Sequence, residues 1–386
     1  MFEMRKDMLY MWLDEVKKVA MSSEMIYERI SSHHGPVLVY GTGSTGKRAT
    51  ELLARHGIEV NGYITGKEYF PSSGEYLGKP VMVLDDNYLS NGGVYVIGIG
   101  SQIGDEGFKA FQNARNFLNN PMNEIYSLKE IANDNEDMSY EFMEEHKEEF
   151  HQVFEMLADD LSKEFFVAYL KGMCSGAAYA YYEKADCSPY FNGLTQSFLG
   201  GTLVDCGAFT GDTLESFIEC SHGIYDTVYA IEAEPDNAKD LESFVAGRGY
   251  RNIRVIQKAV GSFAGKISFE SKENKATSRI SENGTGNIEI EMDTIDHIVG
   301  DDKVTFIKMD IEGNEQEALK GAKSVIEVNM PVLAICVYHR KNDLIVIPPL
   351  LCGLHSKGIH YKLYLRKHTD FFTNSELVLY AIPVKD

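Results

Sequence analysis

The chain has 386 residues, 44% of them apolar and 25% charged, six cysteines and a net charge of −21. That composition is typical of a globular protein, and the length exceeds one ordinary core, so two domains are expected. The acidic field argues against nucleic acid and anionic lipid as partners, since both are polyanions, and no run of eighteen uncharged apolar residues predicts a membrane span.

Residues 1–30 open with "MFEMRKDMLYMWLDEVKKVA", which carries acids throughout and lacks the uncharged core of a signal peptide. Leu9, Trp12, Leu13, Val16 and Val19 fall on one helical face, which predicts an amphipathic helix. The cysteines show no CxxC pair and no metal-ligand spacing, which fits a reduced, cytoplasmic compartment.

Residues 31–130 alternate β runs ("PVLVYG", "IEVNGYI", "VYVIGIG") with helical patterns, as a parallel sheet with helices on its faces requires. "GTGSTG" places Gly41, Gly43 and Gly46 in a GxGxxG turn, with Ser44 opening the helix that follows. Such a turn offers free N–H groups and a helix dipole to a phosphate. A dinucleotide site also needs an acid at the tip of the second strand, and here that tip is Thr65, Gly66 and Lys67, while Glu59 sits at the wrong end. A P-loop reading through Lys47 fails at Arg48, where Ser or Thr should hold Mg²⁺. A second turn, "GIGSQ" at 98–102, follows the third β run. The motifs "VYGTGSTGK", "VNGYI" and "GKPVMVLDD" resemble the N-terminal domain of PglD-type sugar acetyltransferases. The resemblance implies a site for a sugar nucleotide at Gly41, Gly43, Ser44 and Gly46; a scaffold whose glycines only make tight turns stays open beside it. Such domains often carry an Asp at the end of the second strand, and this chain does not.

Residues 131–200 are expected to form a helical connector, with Phe150, Val153, Phe154, Leu157 and Leu161 on one apolar face and "EEHKEE" outward.

In residues 201–386, "GTLVDCGAFTGDTLESF" is a strand, a turn of the form DxGxxxG (Asp205, Gly207, Gly211) and a helix. The next strand ends in Glu232, the acid that a ribose diol needs and the first zone lacks. This pairing points to S-adenosylmethionine (SAM). The ordered set "VDCGAFTGDT", "VYAIEAEPDN", "KAVGSFAGKISF", "IKMDIEGNEQEALKGA", "VYHRKNDLIVIP" and "YLRKH…ELVLYA", over residues 202–383 with "YF" at 190–191 ahead of it, resembles the FkbM-type methyltransferase family. One departure is Ala233, where the family usually has Pro. The resemblance implies an α/β fold in which the second of two Rossmann-like doubly wound sheets has seven strands, the last antiparallel. Runs at 202–205, 227–231, 253–260, 304–309, 332–338, 360–365 and 377–382 supply that number. "GKISFES" and "NIEIEMDTI" are surplus to it and predict an inserted hairpin roofing the substrate site.

On this reading Asp205, Gly207 and Gly211 lie under the methionine part of SAM, with Asp205 reaching its ammonium. Asp212 and Thr213 either cap the helix or touch the ligand. Glu232 takes the ribose hydroxyls, and Lys258 lies at the end of the third strand near the adenine. Asp310, Glu312 and His339 are the candidate general bases for an acceptor hydroxyl. They are also good ligand types for a divalent ion, but no spacing demands one and no metal is assigned. The expected activity is SAM-dependent O-methylation of a saccharide or similar metabolite. The alternatives are a non-catalytic module binding a sugar nucleotide or SAM, and an NAD(P)-dependent oxidoreductase using the Gly41–Gly46 turn.

Overall fold

The computed structural model describes residues 10–20, 23–83, 92–98, 122–132, 138–175, 189–281, 283–356, 358–368 and 377–385. Its internal contacts divide the chain into two compact units. The first comprises Met1–Lys147, Val167–Lys184 and Asp370–Asn374; the second comprises Glu148–Phe166, Ala185–Thr369 and Ser375–Asp386. Among the described residues no helix is long and apolar enough to cross a membrane.

In the first unit the helix expected over 1–30 is two helices, Met11–Val19 and Ser23–Ser32. Ala20 turns extended (ψ 121°) while its N–H closes the last turn on the Val16 carbonyl, which ends the first helix. Trp12, Leu13 and Val16 are buried as the periodicity demands, and Leu9 lies outside the described residues. The sheet has six strands: β1 (Val37–Tyr40), β2 (Gly62–Thr65), β3 (Glu75–Tyr76), β4 (Lys79–Val83), β5 (Gly93–Ile97) and β6 (Asn123–Ser127). They lie in the order β3-β4-β2-β1-β5-β6, parallel except for β3 against β4. β1 and β5 are buried along their whole length, which is why they are apolar without alternation. Of the "GIGSQ" turn only Gly98 is among the described residues.

The second unit carries β7 (Thr202–Cys206), β8 (Val228–Glu232), β9 (Ile253–Gln257), β10 (Ala259–Val260), β11 (Gly265–Glu270), β12 (Arg279–Ile280), β13 (Ile288–Asp293), β14 (Val304–Met309), β15 (Val332–Cys336), β16 (His355–Ser356), β17 (Ile359–Lys367) and β18 (Leu377–Lys385). The main sheet runs β16-β17-β18-β15-β14-β7-β8-β9, with β18 antiparallel to both neighbours. The seven expected strands are all present; the two-residue β16 pairs onto the edge and makes eight. The run expected over 253–260 is broken, because the Lys258 N–H closes a tight turn on the Ile256 carbonyl and sends β10 into a second sheet, β10-β13-β11-β12. The surplus segment forms the antiparallel pair β11 and β13, as the alternation predicts. Leu214 and Phe217 of the helix Asp212–Cys220 pack into the core with Phe191 and Phe306, the Phe191 ring lying 5.4 Å from Phe217 and 5.5 Å from Phe306. Of the apolar stripe at 150–161, Phe150, Val153 and Leu157 are buried and Leu161 is exposed.

Candidate active site

The turn after β7 exists because of its glycines. Gly207 has φ +80°, and a Cβ there would stand 1.9 Å from the Asp310 carbonyl oxygen. Gly211 has φ +105°, and its Cβ would meet the Phe244 ring at 2.6 Å. Between them Phe209 holds φ +47°, a left-handed conformation that costs a non-glycine residue free energy. Its N–H donates to Glu232 Oε2 at 2.9 Å, and the Glu234 N–H donates to Oε1 at 2.8 Å. Glu232 is thus pinned at the tip of β8. Burial pushes its carboxyl above the usual range, while those two N–H groups pull the other way.

Glu232 lies on the wall of a cavity of about 580 Å³, together with Gly207, Phe209, Asp212, Thr213, Lys258, Asp310 and Glu312. β12 and the segment after β11 contribute Lys275, Ser278, Arg279 and Ile280 to the same wall. Asp212 and Thr213 stand inside the helix; Gly211 is its N-cap and no side chain bonds that end. Lys258 faces the cavity, but its ammonium is tied to Asp293 Oδ2 at 2.8 Å, which raises its pKa.

Asp205 is not on that wall. It is fully buried and pairs with Lys308, its register partner across β7 and β14, at 3.1 Å. The Lys308 ammonium also donates to the Gly207 carbonyl at 2.7 Å. Burial drives the Asp205 carboxyl upward against the pull of Lys308. Lys308 stays protonated because Asp205 and Asp310 outweigh the opposing effect of its own burial. Asp205 therefore braces the turn from beneath.

Asp310 and Glu312 follow β14, and His339 follows β15. Asp310 accepts from the Tyr190 hydroxyl at Oδ2 (3.1 Å) and from the Tyr338 hydroxyl at Oδ1 (3.2 Å). Burial would raise its carboxyl, but Lys308, His339 and Tyr190 together hold it below the usual range. Glu312 sits at φ +56°, and burial pushes its carboxyl up. The His339 side chain is only 7% exposed and is not on the cavity wall. Its Nδ1 lies 2.8 Å from Oε1 of the fully buried Glu315, which also accepts the Ile311 N–H at 2.9 Å. Burial disfavours the imidazolium, yet Glu315, Asp310 and Glu312 win and push the pKa up to about 9. The candidate bases thus converge, but only two of them face the cavity.

Tyr190 and Tyr338 line the cavity as well, and residue patterns alone do not single them out. Tyr190 lies in the "YF" lead-in and Tyr338 beside His339, and neither has a local signal for a hydroxyl aimed at Asp310. Tyr190 adopts φ +63°, and its N–H is held by the Tyr380 hydroxyl at 2.9 Å, whose own partner is His368 Nε2 at 2.6 Å. Tyr190, Phe209 and Glu312 all line the cavity in left-handed backbone, so strain gathers where ligand would sit.

In the first unit, Gly43 caps the helix Ser44–Arg55 with no side-chain bond, and its carbonyl accepts from the Tyr76 hydroxyl at 3.4 Å. A Cβ on Gly46 would meet the Gly41 carbonyl oxygen at 2.1 Å, and one on Gly98 would meet the Gly46 Cα at 2.8 Å. A positive φ at Gly41 (+121°) and backbone contact at Gly46 and Gly98 account for these glycines.

The chain is similar over 96% of its length to the crystal structure of methyltransferase FkbM from Methylobacillus flagellatus KT, 98% of which is covered, with TM-score 0.70 and 22% identity. That likeness shows a shared fold. An rRNA methylase from Streptococcus thermophilus (16% identity, 50% of this chain and 93% of that one, TM-score 0.31) also aligns. So does Aeropyrum pernix fibrillarin in complex with natively bound S-adenosyl-L-methionine (14% identity, 47% and 66%, TM-score 0.27). No curated protein matches. Residues 205–358, which carry Glu232, Asp310, Glu312 and His339, match the family model described as the methyltransferase FkbM domain.

Proposed function

We propose that the second unit is a SAM-dependent O-methyltransferase acting on a hydroxyl of a saccharide or a similar polyhydroxylated metabolite. The observation that carries the reading is Glu232, pinned by two backbone N–H groups on the wall of the cavity that Asp310 and Glu312 share. Its carboxylate, which also takes a side-chain hydrogen bond from Asn237, keeps acceptor capacity for a ribose hydroxyl. The N–H groups of the Gly207–Gly211 turn are suited to the ligand's carboxylate. SAM, when bound, supplies a methyl carbon on a sulfonium: the acceptor oxygen forms the C–O bond, and the C–S bond breaks to leave a neutral thioether.

The chain must then position that oxygen, exclude water and take its proton. Glu312 fits the last task, because it faces the cavity and burial makes its carboxylate more basic. Asp310, held ionised by Lys308 and clasped by two tyrosine hydroxyls, orients instead of accepting. His339 carries a proton at neutral pH and holds the acids in place. Polar groups of the cavity wall, among them Asn314, Asn237 and Ser278, suit a hydroxyl-rich acceptor.

Calorimetric titration with SAM tests the cofactor. Wild type should bind with micromolar affinity, and Glu232→Ala should lose about 1.5–3 kcal/mol, the worth of charge-assisted ribose contacts. No binding by wild type would overturn the reading. Glu312→Gln should keep SAM affinity and lose about 10²–10⁴ in the rate of S-adenosylhomocysteine release with a saccharide acceptor; an unchanged rate would remove Glu312 from the chemistry.

A further inference from the structure

Asp310, Glu312 and His339 arrive from two different turns, yet one ligand-type atom of each lies within 4.8 Å of the other two. His339 Nε2 stands 3.3 Å from Asp310 Oδ1 and 3.7 Å from Glu312 Oε1. Ligand atoms bound to one tetrahedral ion at about 2.0–2.1 Å are separated by about 3.3 Å. Convergence of acids alone would mean little, but the histidine adds an independent observation. Its side chain is 7% exposed and its Nε2 has no hydrogen-bond partner, although it points at both carboxylates. Its Nδ1 is meanwhile fixed by the buried Glu315. A carboxylate on one imidazole nitrogen, with the other nitrogen bare, is the second-shell arrangement that orients a metal-binding histidine.

The remaining contacts fit the same use. Tyr190 and Tyr338 each bond one Asp310 oxygen and the Cys336 thiol adds a third contact, so they orient the carboxylate without exhausting its acceptor capacity. Of the nearby cations, Lys308 is paired with Asp205 and Lys272 acts on Glu312 through charge alone. Asp310 and Glu312 face the cavity while His339 stands behind them, so three protein ligands would leave open positions towards the space where an acceptor enters. One imidazole with two carboxylates suits manganese, iron or zinc better than the harder magnesium or calcium.

We propose that Asp310, Glu312 and His339 bind one divalent transition-metal cation on the cavity wall, the ion displacing to solvent the Nε2 proton that His339 holds when no ion is bound. The binding site stands on these side chains alone. Its use rests on the methyltransferase reading: an open position would hold the acceptor oxygen and lower the pKa of its hydroxyl, with the proton passing to the Glu312 oxygen that does not face the ion.

The test uses the full chain, stripped with a chelator and titrated with MnCl₂ in the absence of SAM. The aqueous Mn²⁺ signal is followed by electron paramagnetic resonance. One Mn²⁺ per chain should bind and be displaced by Zn²⁺, and both Glu312→Gln and His339→Ala should weaken it by about tenfold or more. Glu312 is partly exposed, so its conservative variant keeps the fold; His297→Ala, at a histidine remote from the cluster in sequence and paired to Asp293, should bind as wild type does. No stoichiometric Mn²⁺ binding, or binding indifferent to Glu312→Gln, overturns the proposal. Because SAM is absent, that failure is separate from a failure of the cofactor titration.

Discussion

The two glycine turns of this chain look alike in sequence and differ in what surrounds them. In the first unit Gly46 rests against the Gly41 carbonyl and Gly98 against Gly46, and β2 ends in the buried Thr65. In the second unit Gly207 rests against the Asp310 carbonyl and Gly211 against Phe244, and β8 ends in Glu232, which gathers two backbone N–H groups. Close backbone approach requires glycine at Gly46, Gly98 and Gly207, and the Phe244 ring requires it at Gly211. Glycines therefore report the crossing of a tight turn, and the acid at the neighbouring strand tip is what distinguishes the second turn from the first.

The sharpest break of this comparison is steric. Gly207→Ala forces a Cβ into a backbone oxygen at positive φ and should cost about 3 kcal/mol or more in urea unfolding. Gly43→Ala, at φ −90° with nothing within 4 Å, should change stability by about 0.5 kcal/mol or less. Equal effects at the two positions would show that the turns are not distinguished by packing.

A smaller effect concerns the turn that carries His339. Asp343 is buried and accepts from the Arg340 N–H and from Gln316 Nε2, both at 2.9 Å, and burial pushes its carboxyl up to about 6. The folded chain then keeps a proton that the unfolded chain has lost between about pH 4 and 6. This group's contribution is largest below pH 4 and declines as pH rises through 6, on the order of 2 kcal/mol in all. Asp343→Asn should flatten that part of the stability profile in unfolding measured from pH 4 to 7; an unchanged slope would assign it elsewhere.

The smallest signal is chemical. Cys206 closes β7 at the second turn, fully buried, and burial drives its thiol far above the ordinary range, whereas Cys352 is exposed. Iodoacetamide at pH 8 should alkylate Cys352 and spare Cys206 in the native protein. Cys206 should become reactive in Gly207→Ala, and mass spectrometry of the peptides reads both.

Much of the second unit's fold was legible because its signals are local. β7, β8, β14 and β15 are apolar runs that end in an acid or a turn, and the alternation at 265–270 and 288–293 marks a strand pair on its own. The two features that departed, the break at Lys258 and the edge strand β16, depend on one tight turn and a two-residue pairing, which no periodicity announces. The helix break after Val19 is of the same kind.

The sequence by itself determined the strand order's raw material, the glycine turn after β7 and the acid at the tip of β8, since each is set within a few residues by backbone sterics and burial period. Only the tertiary structure decided what the acids do. Asp205 meets Lys308 across two strands and leaves the cavity, while Tyr190 crosses 120 positions to reach Asp310. His339 is driven to hold its proton by three carboxylates that folding brings to one place. Charge and hydrogen bonding act through space at a few ångströms, so a side chain's state follows from its neighbours in the fold and not from its neighbours in the chain.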